Sequence, residues 1–133
     1  MEEKSREVAF VDLPAPVQIQ LGIFGPLLFG MIAGFMLGES STGWWVMNGL
    51  ATIGGVLGGF EHPGAKAGAG RGLIGGFFFG LGIVIADAIA NNAHVVETAD
   101  PIGLIVSITT IAGIVLGAIG GALAGRAAAR STG

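Results

Sequence analysis

Residues 72–90 read GLIGGFFFGLGIVIADAIA, and this stretch decides the class of fold. It is apolar throughout except for Asp87 near its end. A helix of about 20 apolar residues crosses the roughly 30 Å hydrocarbon core of a bilayer. The stretch therefore predicts a transmembrane helix.

Three further apolar blocks, at 19–38, 43–60 and 102–125, have a similar length. None shows the period-two alternation of a membrane β-strand, and four strands cannot close a barrel. The chain is 52% hydrophobic and 11% charged, whereas soluble domains carry roughly 25% charged residues. We therefore expect an all-α membrane protein with four transmembrane helices within residues 19–125.

Polar tails flank this domain at 1–18 and 126–133. The first tail holds most of the charged residues of the N-terminal region and then Pro14 and Pro16, which are predicted to interrupt any helix there. Its short apolar run at 8–11 is expected to touch the headgroup region. Both tails are predicted to be cytoplasmic.

The distribution of cations predicts this orientation. The six lysines and arginines fall before the first block, between the second and third, and after the fourth: Lys4, Arg6, Lys66, Arg71, Arg126 and Arg130. Cytoplasmic loops carry an excess of Lys and Arg. Both termini and the middle loop are thus predicted to be cytoplasmic, in a multi-pass protein of a prokaryotic cytoplasmic membrane.

The two halves of the chain align with each other. The third block matches the first at an offset of 50, which pairs Phe29 with Phe79 and Gly30 with Gly80. The fourth matches the second at an offset of 58, which pairs Gly59 with Gly117. Two spans per repeat place both copies in the same orientation. The sequence predicts two tandem, parallel helical hairpins.

Glycines recur at four-residue spacing in every block. Residues i and i+4 lie on one helix face, so each helix is expected to present a smooth ridge for glycine-zipper packing against a neighbour. The predicted packing positions are Gly30, Gly34, Gly38, Gly54, Gly55, Gly58, Gly59, Gly72, Gly76, Gly80, Gly113, Gly117, Gly121 and Gly125. The alternative is that glycine is simply more frequent in membrane helices.

The second block presents two adjacent ridges in the run GGVLGG at 54–59. Four helices need fewer small-residue faces than this, so some are expected to contact another copy or a different subunit. Loss of association after Gly117→Leu or Gly58→Leu would be the sign of such contacts.

The aromatic residues and Pro26 have plain structural interpretations. Trp44 and Trp45 are expected in an outer aromatic belt. The phenylalanines are expected to face lipid, opposite the glycine ridges: Phe24, Phe29, Phe35, Phe77, Phe78 and Phe79. Pro26 is predicted to kink the first helix, with a gating hinge as the alternative.

Few polar side chains are expected at membrane depth. Asn48 and Thr52 share a face of the second helix and are predicted to bond a neighbouring helix, while Thr109 and Thr110 are expected to bond their own carbonyls. Asp87 is the strongest candidate for a functional group, since an intramembrane carboxylate is costly. It is interpreted either as a solvated interfacial residue or as part of an ion path with Asn48 and Thr52.

The composition excludes several classes of site. The chain has no cysteine, so no thiolate metal site forms. His94 and Glu97 are too few ligands for a metal, and no catalytic or phosphate-binding motif is present. We expect no enzyme activity, metal, cofactor or nucleic-acid partner. Membrane lipids and other subunits are the expected partners.

Two hypotheses for function follow. In the first, the protein is a structural or accessory subunit in a homo-oligomer or a larger membrane complex. In the second, it is an oligomeric ion channel or small-solute transporter with Asp87 near its outer mouth.

Overall fold

The computed structural model describes residues 12–133, so most of the predicted N-terminal tail, including the run at 8–11, lies outside the described residues. The described chain is helical, without β-strands. The elements are α1 (Ala15–Ile19), a π-helical turn (Gln20–Phe24), α2 (Gly25–Glu39), α3 (Ser41–Phe60), α4 (Ala65–Ala90) and α5 (Leu104–Ser131).

Three of the helices are long and apolar enough to cross a membrane. They are the continuous helix Ala15–Glu39, α4 and α5. α3 coincides with the second predicted block but is not among the three helices that are long and apolar enough to cross a membrane. Residues 12–133 are thus all-helical, with at least three helices suited to a bilayer.

The first long helix begins at Ala15, earlier than the sequence indicates, with Pro16 in its first turn. Proline is tolerated there because the first turn's N–H groups have no partner within the helix. The prediction that Pro14 and Pro16 exclude a helix before residue 19 was therefore wrong. Further along, Pro26 lacks the N–H that would bond to Gly22. The preceding π-helical turn, in which the Gly25 N–H donates to the Gln20 carbonyl, accommodates this break.

α4 and α5 form the most extensive helix pair. They run antiparallel, and glycine meets glycine along their contact: a β-carbon added at Gly72 would overlap the carbonyl oxygen of Gly113, and one at Gly68 would overlap that of Gly117. Gly76 meets the Thr109 carbonyl oxygen in the same way, whereas Gly80 lies against the Thr109 side chain and the Val106 backbone. At Gly68 and Gly72 the two backbones are so close that no side chain fits between them.

α2 and α3 pack on the outer flanks of this pair. α2 runs parallel to α4, because its Gly30 lies on the backbone of Phe79 and its Gly34 on that of Ile83. α3 packs on α5, where a β-carbon at Gly59 would overlap the Gly117 backbone. Two glycines that the four-residue spacing missed, Gly82 on α4 and Gly120 on α5, approach α2 and α3 respectively.

The bulky core lies toward the end where α2 meets α3. Its buried side chains are Ala33, Leu37, Trp44, Phe79, Ile83 and Ile105. Trp44 is 6% exposed and Phe79 is 7% exposed, so the predictions of a membrane belt for Trp44 and a lipid-facing position for Phe79 were wrong. Phe79 instead packs near Phe29, with ring centroids 6.2 Å apart. Trp45, Phe24, Phe35 and Phe77 are exposed.

The glycine contacts predict a sharp positional difference in tolerance to alanine. Gly72→Ala places a methyl group on the Gly113 carbonyl, whereas Gly70→Ala, on the open side of the same helix, meets nothing within 4 Å. We expect Gly72→Ala to destabilise the fold by about 1–3 kcal/mol through overpacking. Gly70→Ala should be neutral or stabilising by up to about 1 kcal/mol.

The measurement is thermal stability in a mild detergent, read as the temperature at which half the protein remains in the folded size-exclusion peak. Equal stability of the two variants would contradict the close α4–α5 packing.

Candidate functional site

A cavity of about 460 Å³ lies within the helix bundle. Its wall is built largely from glycines of four helical segments: Gly25, Gly54, Gly55, Gly58, Gly72, Gly75, Gly76 and Gly113. Larger apolar side chains complete it, among them Leu21, Pro26, Phe29, Leu50, Phe79 and Leu116. Its polar side chains are Asn48, Thr52, Arg71 and Thr109. The volume falls within the usual range for ligand pockets, about 300–1,000 Å³.

The cavity exists because the two helical hairpins close to different degrees. α4 and α5 are in extensive backbone contact, while α2 and α3 share far fewer contacts. The bulky core and the packing of Gly43 on Met36 hold α2 and α3 together near their connecting turn. Away from that turn, Gly54 has no atom within 4 Å of the place a β-carbon would occupy. Glycine walls leave this space unfilled.

Among residues 12–133, Arg71 supplies the one cationic side chain on the cavity wall. It lies in the second turn of α4 and is half-buried. A β-carbon at Gly58 would lie 3.8 Å from the guanidinium carbon, and one at Gly75 would lie 3.0 Å from Nη1. A side chain at Gly58 or Gly75 would therefore crowd the guanidinium of Arg71.

The other polar groups of the cavity bond to their own helices. Asn48 Nδ2 donates to the Trp44 carbonyl at 2.9 Å, and Thr52 Oγ1 donates to the Asn48 carbonyl at 2.9 Å. The prediction that Asn48 and Thr52 bond a neighbouring helix was therefore wrong. Thr109 and Thr110 donate to the carbonyls of Ile105 and Val106, as expected. These hydroxyl groups are satisfied locally, so the cavity away from Arg71 presents mainly hydrocarbon.

Asp87 lies in a different place, at the far end of α4. Its Oδ1 is 2.6 Å from His94 Nε2, and its side chain is 19% exposed. It faces a recess formed by the loop at 94–102, not the cavity that Asn48 and Thr52 line. The structure brings two of the three predicted path residues together and separates the third.

The α4–α5 loop is folded back over this end of the bundle. The Val95 N–H donates to the Leu37 carbonyl at 2.9 Å, and Asn92 Nδ2 donates to Glu39 Oε1 at 3.2 Å. His94 therefore pairs with Asp87, seven residues earlier, rather than with Glu97. Within residues 12–133, no group of three potential metal ligands is close enough to hold an ion.

The place of Arg71 was missed because the sequence was divided at Gly72, which assigned Arg71 to a loop. The structure starts α4 at Ala65. The available signal was the small-residue spacing itself, since Gly68 continues the ridge of Gly72, Gly76 and Gly80 by one turn toward the N-terminus. Extending the helix by that turn makes Arg71 part of α4, on the side that lines the cavity.

No protein-family model matches the sequence, and neither a curated protein nor a solved structure is significantly similar to it.

The Asp87–His94 contact predicts that Asp87 holds the α4–α5 loop in place. We expect Asp87→Ala to remove about 1 kcal/mol of local stability and so to raise the open population of the loop severalfold. The measurement is the rate of cleavage after Glu97 by a glutamyl endopeptidase. Asp100→Ala, which removes a carboxylate from the same loop, is the control and should leave that rate unchanged. A rate that is equal in all three proteins would show that the contact does not restrain the loop.

Proposed function

We propose that this protein is a non-enzymatic structural or accessory subunit of a membrane assembly, built from four transmembrane helices in two parallel hairpins. The observation that carries the proposal is the exposed face of α3. This helix packs on its own chain less than α4 does, and one of its faces is exposed.

The direction of the helices supports four spans. α2 and α4 run parallel, and both belong to helices apolar enough to cross a bilayer. A chain that crosses twice in the same direction has to return between the two crossings. α3 is the element between them, and its 20 residues extend about 30 Å at 1.5 Å per residue. That length equals the hydrocarbon thickness.

Contacts between matched positions support the duplication. Phe29 and Phe79 occupy equivalent places in the two proposed repeats, and their rings are neighbours. Gly59 and Gly117 are likewise equivalent and meet backbone to backbone. Equivalent residues that touch are expected beside a two-fold axis parallel to the membrane normal. The glycine zipper of the second repeat, α4 against α5, is closed, and the corresponding α2–α3 hairpin is open.

The proposed orientation places both termini and the α3–α4 turn in the cytoplasm, following the cations. Because the chain has no cysteine, single introduced cysteines report sidedness directly. We expect a membrane-impermeant maleimide to label Ala93→Cys in intact cells. Ala67→Cys and Ala128→Cys should be labelled only after the membrane is permeabilised. The reverse pattern would overturn the orientation while leaving the helix packing intact.

The docking face of α3 consists of Trp45, Gly49, Ile53 and Leu57, which follow one another at four-residue spacing on one side of the helix. Trp45 is 65% exposed, Ile53 is 58% exposed and Leu57 is 61% exposed. Gly49 has nothing within 4 Å of the place a β-carbon would occupy. It forms a notch between bulky side chains, and in lipid such notches allow the close backbone approach that holds helices together.

The same contacts change which glycines can test association. Gly117 and Gly58 were the expected test positions, but Gly117 lies on the Gly68 backbone and Gly58 lies beside Arg71. Leucine at either position would disturb the single chain itself. Gly49 is free of this problem.

We therefore expect Gly49→Leu to reduce association of the purified protein at least tenfold, or to release it from a co-purifying complex. The physical reason is that leucine fills the notch and separates the two backbones. The measurement is native mass spectrometry of a mild-detergent extract, with photobleaching step counts in lipid nanodiscs as a second readout.

Gly70→Leu is the matched control, because Gly70 is also helical, exposed and without neighbours within 4 Å. It should associate as the wild-type protein does. A wild-type protein that is monomeric and alone in both readouts would refute the subunit proposal.

The transport alternative has less support. Asp87 and the Asn48–Thr52 pair face different recesses, so a single copy offers no common path for the three residues.

A further inference from the structure

We propose that the cavity takes up one hydrocarbon chain of a membrane lipid, without recognising the headgroup of that lipid, and that Pro26 holds the cavity open. The proposal stands apart from the subunit role, since it concerns a space inside one protomer and not the exposed face of α3. The part played by Pro26 rests on the proposed duplication of the two hairpins.

The wall of the cavity suits hydrocarbon. It consists mainly of glycine and larger apolar side chains, and the side chains of Asn48, Thr52 and Thr109 donate to carbonyls of their own helices. An apolar protein cavity of about 150 Å³ stays dry and takes up benzene. The cavity here has a volume of about 460 Å³. It therefore has room for an apolar group considerably larger than benzene.

The cavity opens onto the surface that the bundle presents to a bilayer. Leu21 and Leu50 lie on its wall and are each 50% exposed, and Gly54 is exposed as well. The wall follows the membrane-length helix Ala15–Glu39 from Leu21 to Phe29, a stretch that includes the middle of this helix. The solvent around the middle of a membrane-spanning helix is hydrocarbon. A lipid chain thus reaches the cavity without leaving the bilayer core.

The charge of Arg71 has no part in the proposed binding. Arg71 already interacts within the chain, where Glu61 at the C-terminal end of α3 acts on it electrostatically. Its Nη1 lies 3.0 Å from the place a β-carbon of Gly75 would occupy. Gly75 is ten residues after the start of α4 at Ala65, which is about 15 Å along the helix axis. The guanidinium is therefore deeper than the headgroup phosphates, and we expect no preference for an anionic lipid.

Pro26 explains why α2 stays apart from α3 beside the cavity. At the offset of 50, Pro26 corresponds to Gly76. A β-carbon at Gly76 would overlap the Thr109 carbonyl oxygen, so the close contact of α4 with α5 requires glycine there. A proline ring at the corresponding place of α2 excludes the same approach to α3, and Pro26 lies on the cavity wall. Pro26 is therefore a positioning residue.

The experiment is a lipid titration of the delipidated full-length protein in a mild detergent, followed by native mass spectrometry. The probes are dioleoyl phosphatidylcholine, dioleoyl phosphatidylglycerol and glycerophosphocholine, which has a headgroup but no hydrocarbon chain. We expect one lipid per protomer at low lipid concentration, with affinities for the two lipids that agree within about twofold, because the contact is made with the chain alone. Glycerophosphocholine should neither bind nor compete.

Two leucine variants separate the cavity from the rest of the surface. Gly54→Leu places a bulky side chain on the cavity wall, where nothing lies within 4 Å of the missing β-carbon. It should weaken the retention of both lipids at least tenfold. Gly70→Leu is the matched control and should bind lipid as the wild-type protein does. Gly70 is also helical, exposed and without neighbours within 4 Å, but lies outside the cavity.

Pro26→Gly tests the positioning role. Without the ring α2 can approach α3, so lipid retention should fall at least tenfold while the protein still elutes in the folded size-exclusion peak. Because the chain has no cysteine, spin labels at Leu28→Cys on α2 and Ile53→Cys on α3 report the distance between these helices. Both parent residues are 58% exposed. The distance should be shorter in Pro26→Gly. Gly54→Leu keeps the test decisive if Pro26→Gly fails to fold.

Several outcomes would overturn the proposal. Retention of both lipids by Gly54→Leu at wild-type strength would mean that the bound lipid lies on the outer surface of the bundle. A preference for phosphatidylglycerol over phosphatidylcholine would show headgroup recognition. Dissociation of a lipid-free wild-type dimer by Gly54→Leu would show that a second copy fills the cavity. Unchanged label distance and lipid retention in Pro26→Gly would exclude the positioning role.

Gly49→Leu separates this proposal from the subunit role. Gly49 lies on the exposed face of α3 and not on the cavity wall. The variant should therefore retain the lipid even where its association is lost.

Discussion

Direct contact between the backbones of α4 and α5 is the constraint on which the rest of the bundle depends. A hydrocarbon solvent gives apolar side chains no reason to leave it, so helices associate only where they can approach closely enough for dense van der Waals contact. Gly68, Gly72 and Gly76 on α4 allow that approach, and Gly113 and Gly117 receive it on α5. α2 then packs on α4 and α3 on α5. The position of each helix therefore follows from where its glycines meet another backbone.

The distribution of glycine also explains why the two ends of the bundle differ. Near the α2–α3 turn, the space between helices is filled by Leu37, Trp44, Phe79 and Ile83, and the α4–α5 loop is folded over them. Toward the other end, the helix faces that point into the bundle carry mainly glycine. Where two glycine faces meet, the helices touch. Where a glycine face of α3 meets no partner, a cavity remains, and Arg71 enters it.

The helical class was predictable from the sequence, because apolar length is a property of a single helix. Gly30, Gly72 and Gly117, which recur at four-residue spacing with other glycines of their helices, each lie close to another backbone, whereas Gly54 has no neighbour within 4 Å of its missing β-carbon. What could not be predicted depends on how helices are rotated against one another. Trp44 and Trp45 are adjacent and chemically identical, yet one is buried and the other exposed. Asp87 and His94 meet only because the intervening loop reverses direction. Asn48 was predicted to bond a neighbouring helix, but its side chain donates to the Trp44 carbonyl one turn earlier in its own helix.

The local hydrogen bonds of Asn48, Thr52 and Thr109 have a consequence for the hydration of the cavity. A void in a membrane protein fills with water when its wall offers several unsatisfied polar groups, and it stays empty of water when the wall is apolar. Here the hydroxyl protons are already donated to helix carbonyls. Beyond Arg71, the part of the cavity wall that residues 12–133 form therefore offers water few hydrogen-bond donors. The space that glycine leaves open there is better matched to hydrocarbon than to a chain of water molecules.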